Sequence, residues 1–410
     1  MARTAAGLPA GTRITDYVSL GVVASTFPLE DVQEVLKQTG KASKRQRDLP
    51  AHVMVYYVIA LALYMQSSCK EVLRCLLEGV RWLAGPGAQI KVTGRGGIAN
   101  ARSRIGSEPV KMLHDKLVQP IAVKEGKRVT KGAWYSEWHV VSIDGSTMDV
   151  ADTSENEQAF GKPKASRGES AYPQIRFVSL VENGTHVLFG TEMGGYDTSE
   201  GKLCEGVLRR LKPGMLALAD RNFFSYQRWQ AASATGADLL WRVKKNLILP
   251  CIKRFDDGSY LSKIYPSTKD RRHDTNGVLV RVIEYTLPDV PDAESCYRLI
   301  TTVLEPERAP ADELAALYHD RWEIENAFDE LKTHLRGRQI ILRSKKPELV
   351  KQEFFGFLMA HFSVRGIMHE AALKADEDPD RLSFVHAVRV IRRKMAPCVA
   401  FPPSGQDSVS

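Results

Sequence analysis

The chain has 410 residues, more than one ordinary domain needs, and 43% of them are hydrophobic, enough to bury a sizeable core. Lys and Arg outnumber Asp and Glu by 57 to 49, a formal net charge of +8, which suits a polyanionic partner: nucleic acid or an anionic membrane surface. The six cysteines form no CxxC pair and have no zinc-ligand spacing with a histidine, which argues against a zinc centre or a disulfide scaffold.

The opening residues, MARTAAGLPAGTRITDYVSLG, lack the apolar stretch of a secretory signal. Residues 12–125 then read as an all-helical N-terminal domain. LEDVQEVLKQTG carries apolar residues at helical spacing and stops at Gly40. VMVYYVIALALYM, residues 53–65, is the longest apolar run. It falls short of the roughly 20 residues that cross a bilayer, so it is expected to be a buried core helix in a cytoplasmic, soluble protein. Lys91, Arg95, Arg102 and Arg104 cluster among short helices and turns. That pattern suits a helix-turn-helix-like DNA-binding module, and equally an ordinary helical domain with a basic rim. Gly94, Gly96 and Ala99 make a formal GxGxxA, but no βαβ unit surrounds them, so no dinucleotide site is expected.

The texture changes near residue 136. EWHVVSIDGSTMDV is a β-rich run in which the buried-looking strand VVSID ends on Asp144 and the Asp-Gly pair suits a turn. QIRFVSLVENGTHVLFGTEM predicts a hairpin closed through Asn183-Gly184. A helix, the short strand MLALAD ending on Asp220, another helix and the strand ADLLWRVKK complete an α/β succession, with Trp241 reading as core. Residues 246–308 read as a β-rich insertion. Helix returns at PADELAALYHDRWEIENAFDELKTHL, and a further apolar helix precedes a C-terminal segment and tail at 376–410.

The charged helix carries the chemistry. With Tyr318 at zero and about 100° per residue, Arg321 falls near −60°, Glu325 near −20° and Lys332 near −40°. Asp329 and Arg336 lie beside this stripe of phenol, guanidinium, carboxylate and ammonium. Alone, the helix fits a paired surface face better than a site. Asp144 and Asp220 add two acids at strand ends, where α/β sheets place their sites, although each could also be a turn former or a helix cap. Three such carboxylates suit hard divalent cations with positions left open for phosphate oxygens.

The spacing Tyr318-x2-Arg321-x3-Glu325-x6-Lys332 resembles the signature of bacterial DDE transposases of the insertion-sequence-four family. Asp144 in SIDGS and Asp220 in LADRNFF match the first two acids of that pattern, and Glu325 the third. SLGVVASTFPLEDVQEVLKQTG, RQRDLPAHVMVYYVIALALY and ANARSRIGSEPV resemble the family's N-terminal domain. The resemblance, from about residue 15 to about 365, implies a ribonuclease-H-like mixed sheet. The core would span 136–245 and 309–375, interrupted by the insertion at 246–308. It implies that Asp144, Asp220 and Glu325 hold two Mg²⁺ ions, with Mn²⁺ able to substitute, and that Tyr318, Arg321 and Lys332 contact DNA. It further implies cut-and-paste transposition through a hairpin intermediate. The partners would be the terminal inverted repeats and target DNA, with a dimer in the DNA-bound complex. Another ribonuclease-H-like nuclease and a catalytically inactive DNA-binding relative are the competing readings.

Overall fold

The computed structural model describes residues 22–393, apart from 45–48, 66, 75, 77–94, 166–167, 170–171, 287–295, 320–322 and 338–340. The sheet is built outward from strand β1 (Trp138–Asp149), whose first half, WHVVSI, is buried on both faces. On one side β1 pairs antiparallel with β2 (Gln174–Glu182), which turns back into antiparallel β3 (Val187–Gly195). The predicted Asn-Gly hairpin is present, and Gly184 at its tip has φ +74°. A Cβ there would lie 2.4 Å from the Lys131 carbonyl oxygen, so only glycine fits this approach.

On its other side β1 pairs in parallel with β4 (Met215–Ala219), and β4 in parallel with β5 (Asp238–Arg242). Parallel neighbours need a crossover, and helices α5 (Glu200–Leu208) and α6 (Tyr226–Ser233) lie on the two crossovers. The sheet order β3-β2-β1-β4-β5 is the ribonuclease-H-like arrangement. Beyond β5 the sheet continues through β9 (Tyr297–Thr301), β8 (Val278–Tyr285), β7 (Tyr260–Ile264) and β6 (Lys253–Arg254), all antiparallel. With the short strand Trp134–Tyr135 paired to β1, this makes one sheet of ten strands among the described residues. The four strands β6 to β9, described within residues 246–308, extend the same sheet. β9 covers the edge that β5 would otherwise expose.

Two cores flank the sheet because side chains alternate along each strand. Val141, Ile143, Ala217 and Leu239 face the larger one. Trp138, Val140, Leu216, Leu218 and Leu240 face the smaller one, where Leu314 and Tyr318 pack. The N-terminal helices α1 (Leu29–Gln38), α2 (Ala51–Leu63), α3 (Arg95–Ile105) and α4 (Glu108–Leu117) share the larger core. Helix α2 is apolar all round and buried along its length, as a core helix should be. No helix among the described residues is long and apolar enough to cross a membrane.

Three expectations change. β1 does not end at Asp144: it runs on to Asp149, because β2 offers backbone partners all the way from Val141 to Asp149. Asp144-Gly145 is therefore in-strand rather than a turn. The charged segment does not stay α-helical to its end: after α7 (Ala311–His319) and α8 (Glu323–Asp329), between which residues 320–322 lie outside the described residues, a π-helical turn, Glu330–Leu335, continues α8. Arg102 is not part of a basic outer face. It is buried, donating to Gln352 Oε1 at 2.7 Å and to the Leu349 carbonyl at 3.0 Å, both on the long helix α9 (Pro347–Ala375). Lys91 lies outside the described residues.

Candidate active site

The parallel ladder between β1 and β4 ends with Ile143 opposite Ala219. The next residue on each chain is an acid, so Asp144 and Asp220 stand side by side at the carboxyl edge of the sheet. Each is half-buried. Both continue the series Trp138, Val140 and Leu216, Leu218 that faces the smaller core, by the two-residue period of a strand. Two adjacent carboxylates repel one another, and a cation nearby relieves that repulsion. Arg242, one residue beyond Trp241 opposite Ala219, brings its Nη1 to 3.9 Å from Asp220 Oδ1. Its guanidinium also lies 4.6 Å from the centre of the Tyr297 ring. The sequence reading missed Arg242, although a basic residue ending the strand after Asp220's own was a visible signal.

Lys332 approaches from the π turn. Its ammonium donates to Ser146 Oγ at 2.8 Å, two residues along β1 from Asp144 and therefore on the same side of the strand. Burial and the neighbouring Arg336 hold its pKa below the usual lysine value. Helix α8 packs against β1, with Phe328 edge-on to Phe177 of β2 at 5.5 Å. Glu325 is exposed on this helix. Tyr318 is 5% exposed, and its hydroxyl donates to the carbonyl of Ala219 at 3.4 Å, directly before Asp220. Arg321 lies outside the described residues. The structure thus brings Asp144, Asp220, Tyr318 and Lys332 to one edge of the sheet. Among the described residues, no three acid, histidine or cysteine side chains converge closely enough to cage an ion. The two sheet acids alone offer paired oxygen donors, a set that fits a hard divalent cation better than a soft one.

An acid pair at the carboxyl edge of a ribonuclease-H-like sheet, with Arg242 and Lys332 near it, suits the class of proteins that carry out phosphoryl transfer on a polyanion. Residues 138–363 match the family described as transposase DDE domain, and residues 17–115 match insertion element 4 transposase N-terminal. The chain belongs to the insertion-sequence-four family of DDE transposases. It is 29% identical over 376 residues to the transposase InsG for insertion sequence element IS4 of Escherichia coli, covering 89% of this chain and 80% of that one. It is 24% identical over 224 residues to the putative transposase InsZ of the same organism, covering 54% of this chain and 71% of the relative. A structure of the piggyBac transposase synaptic complex with hairpin DNA superposes with a TM-score of 0.45 at 11% identity, covering 96% of this chain and 86% of that one. The protein is a transposase, an enzyme of DNA strand cleavage and joining that depends on a divalent metal.

Proposed function

We propose that Asp144, Asp220 and Glu325 are the catalytic acids and hold two Mg²⁺ ions, for which Mn²⁺ substitutes. The observation that carries this reading is the register that ends at Ile143 and Ala219 and sets the first two acids next to one another. Glu325 is the third because its helix packs on β1 and leads, seven residues on, to the Lys332–Ser146 contact beside Asp144. When bound, such ions neutralise phosphate charge and activate the attacking oxygen. The side chains of the chain do the rest. Lys332 and Arg321 hold the DNA backbone as cations. Arg242 offsets the charge of Asp220. Tyr318 anchors the end of β4 through Ala219, and DNA contact by its phenol would require that bond to open.

The reaction is a series of in-line phosphoryl transfers in which position and charge supply most of the catalysis. Water attacks the phosphodiester at the element's end and releases a 3′ hydroxyl. That hydroxyl attacks the opposite strand, closing a hairpin and freeing the flanking DNA. Water reopens the hairpin, and the same hydroxyl then attacks target DNA. Two ends must be held together, so the DNA-bound form is a dimer at the nucleoid, with the N-terminal helices contributing end recognition.

The test is cleavage of duplex DNA carrying the element's own terminal repeats, with Mg²⁺ or EDTA, by wild type and Glu325→Ala. Metal-dependent cleavage that disappears in the variant, with end binding retained, is the expected result. Equal cleavage by the variant removes Glu325 from the site. Binding without cleavage by the wild type points to an inactive relative.

A further inference from the structure

Behind the candidate site lies a buried ionic cluster that the transfer chemistry does not use. Glu330, 7% exposed, is the first residue of the π turn that carries Lys332. Its Oε2 accepts from Arg365 Nε at 2.8 Å, its Oε1 accepts from Arg365 Nη2, and His361 Nε2 lies 3.2 Å from Oε2. Arg365 and His361 are both on α9 and are fully buried. His186 Nδ1, from the turn between β2 and β3, lies 3.2 Å from Glu330 Oε1 and touches Arg365, while its Nε2 is 3.1 Å from Asp380 Oδ1. Arg365 also faces the Phe384 ring of α10 (Phe384–Arg393) at 5.6 Å.

Two segments, α9 and the turn between β2 and β3, therefore meet on one carboxylate of the helix that bears Glu325. A cavity of 290 Å³ lies alongside, lined by Asn326, Asp329 and Glu330 from that helix and by His186, Arg365 and Asp380 facing it. Ile324, Ala327, Phe328 and Leu331 seat the helix on the larger core, and on the side of this cavity the charged hydrogen bonds of Glu330 supply the contact with α9. A buried carboxylate that loses its partners is strongly destabilised, which gives the cluster one favoured arrangement. The π turn matters too. It advances less per residue than an α-helix, so the position at which it begins fixes the rotation of Lys332 relative to Glu325.

We propose that Glu330 is a positioning residue for strand cleavage: held by Arg365, His361 and His186, it sets the register of the helix so that Glu325 and Lys332 meet Asp144 and Asp220. This rests on the assignment of Glu325 above. The experiment uses the full-length protein with terminal-repeat DNA, below the melting temperature of each variant, and compares Glu330→Gln, Arg365→Lys and Glu325→Ala. Three quantities are read: amide exchange across residues 323–335, the Mg²⁺ concentration giving half-maximal cleavage, and end binding. In Glu330→Gln the segment is expected to exchange faster and the Mg²⁺ requirement to rise. Cleavage should fall by about tenfold or more, the scale of a small misplacement of catalytic groups, while end binding is unchanged. Arg365→Lys, which keeps the charge and loses the two-pronged contact, should show the same changes to a smaller degree. Unaltered exchange and an unaltered Mg²⁺ curve in Glu330→Gln, with activity tracking only the folded fraction, would overturn the proposal while leaving Glu325 in place. If Glu330→Gln does not fold, wild-type exchange and Mg²⁺ dependence in Arg365→Lys overturn it instead. Normal cleavage by Glu325→Ala would sink the site assignment and this inference together.

Discussion

Arg242 shows how one side chain comes beside Asp220 from outside the tyrosine–arginine–glutamate–lysine spacing. It stands next to Asp220 only because β4 and β5 run parallel and in register. Its removal leaves two neighbouring carboxylates with less countercharge. Arg242→Ala should therefore slow cleavage more than it weakens end binding, measurable as a lower single-turnover rate at saturating DNA. Lys332→Ala removes a cation from the same edge and should cost about 10²-fold or more in rate, the usual cost of one electrostatic donor in a transfer site. His186 gives a pH signature. Burial and Arg365 lower its pKa, but Asp380 and Glu330 outweigh them and lift it to about 9. Its folded pKa thus exceeds the ordinary 6.5, so its stabilisation is complete below about pH 6.5 and is lost as pH rises through 9. The groups facing it are Glu330, Asp380 and Arg365, with His361, whose pKa burial lowers, on the far side of Glu330. Melting temperature should fall between pH 6.5 and 9 in the wild type and be flatter in His186→Gln.

At the scale of elements, the N-terminal helices are welded to the catalytic sheet by α9. Gly356 of α9 lies where α2 crosses it, and a Cβ there would be 2.6 Å from Val58 Cγ1 and 2.8 Å from the Val58 carbonyl oxygen. Backbone cannot yield as a flexible side chain can. Gly356→Ala should destabilise the protein by about 1–3 kcal/mol, the cost of overpacking a filled core, seen as a lower denaturation midpoint. Polar contacts reinforce the joint. Arg343 donates to the carbonyls of Ser67 and Leu61, and Glu348 accepts from the Ser107 backbone and hydroxyl. Much of this was legible beforehand. The all-apolar run from Val53 to Met65 announced a core helix, and Asn183-Gly184 announced its hairpin. The continuation of β1 past Asp144-Gly145 was not legible, because the dipeptide favours a turn and only the neighbouring strand β2 overrules that preference. The π turn was likewise invisible, since its residues keep ordinary helical composition.

For the whole molecule, the excess of basic residues predicts DNA binding that weakens steeply with salt. The logarithm of the end-binding constant should fall linearly against the logarithm of salt concentration, and a flat plot would remove the phosphate backbone as the main contact. The folding of the N-terminal helices into the same core as the sheet predicts that both melt together in one transition, rather than as separate domains.

The amino-acid sequence by itself determined the class of protein. An acid after each of two apolar runs, the tyrosine–arginine–glutamate–lysine spacing in a later segment and the helical N-terminal segment were all written in residue types and local intervals. Only the tertiary structure decided which charges work together. Asp144 and Asp220 become neighbours through a parallel ladder, Arg242 joins them through the next one, and Arg102 and Glu330 turn inward to bind α9. Burial and strand register are properties of segments distant in the chain, so no local pattern could separate an inward ion pair from an outward one.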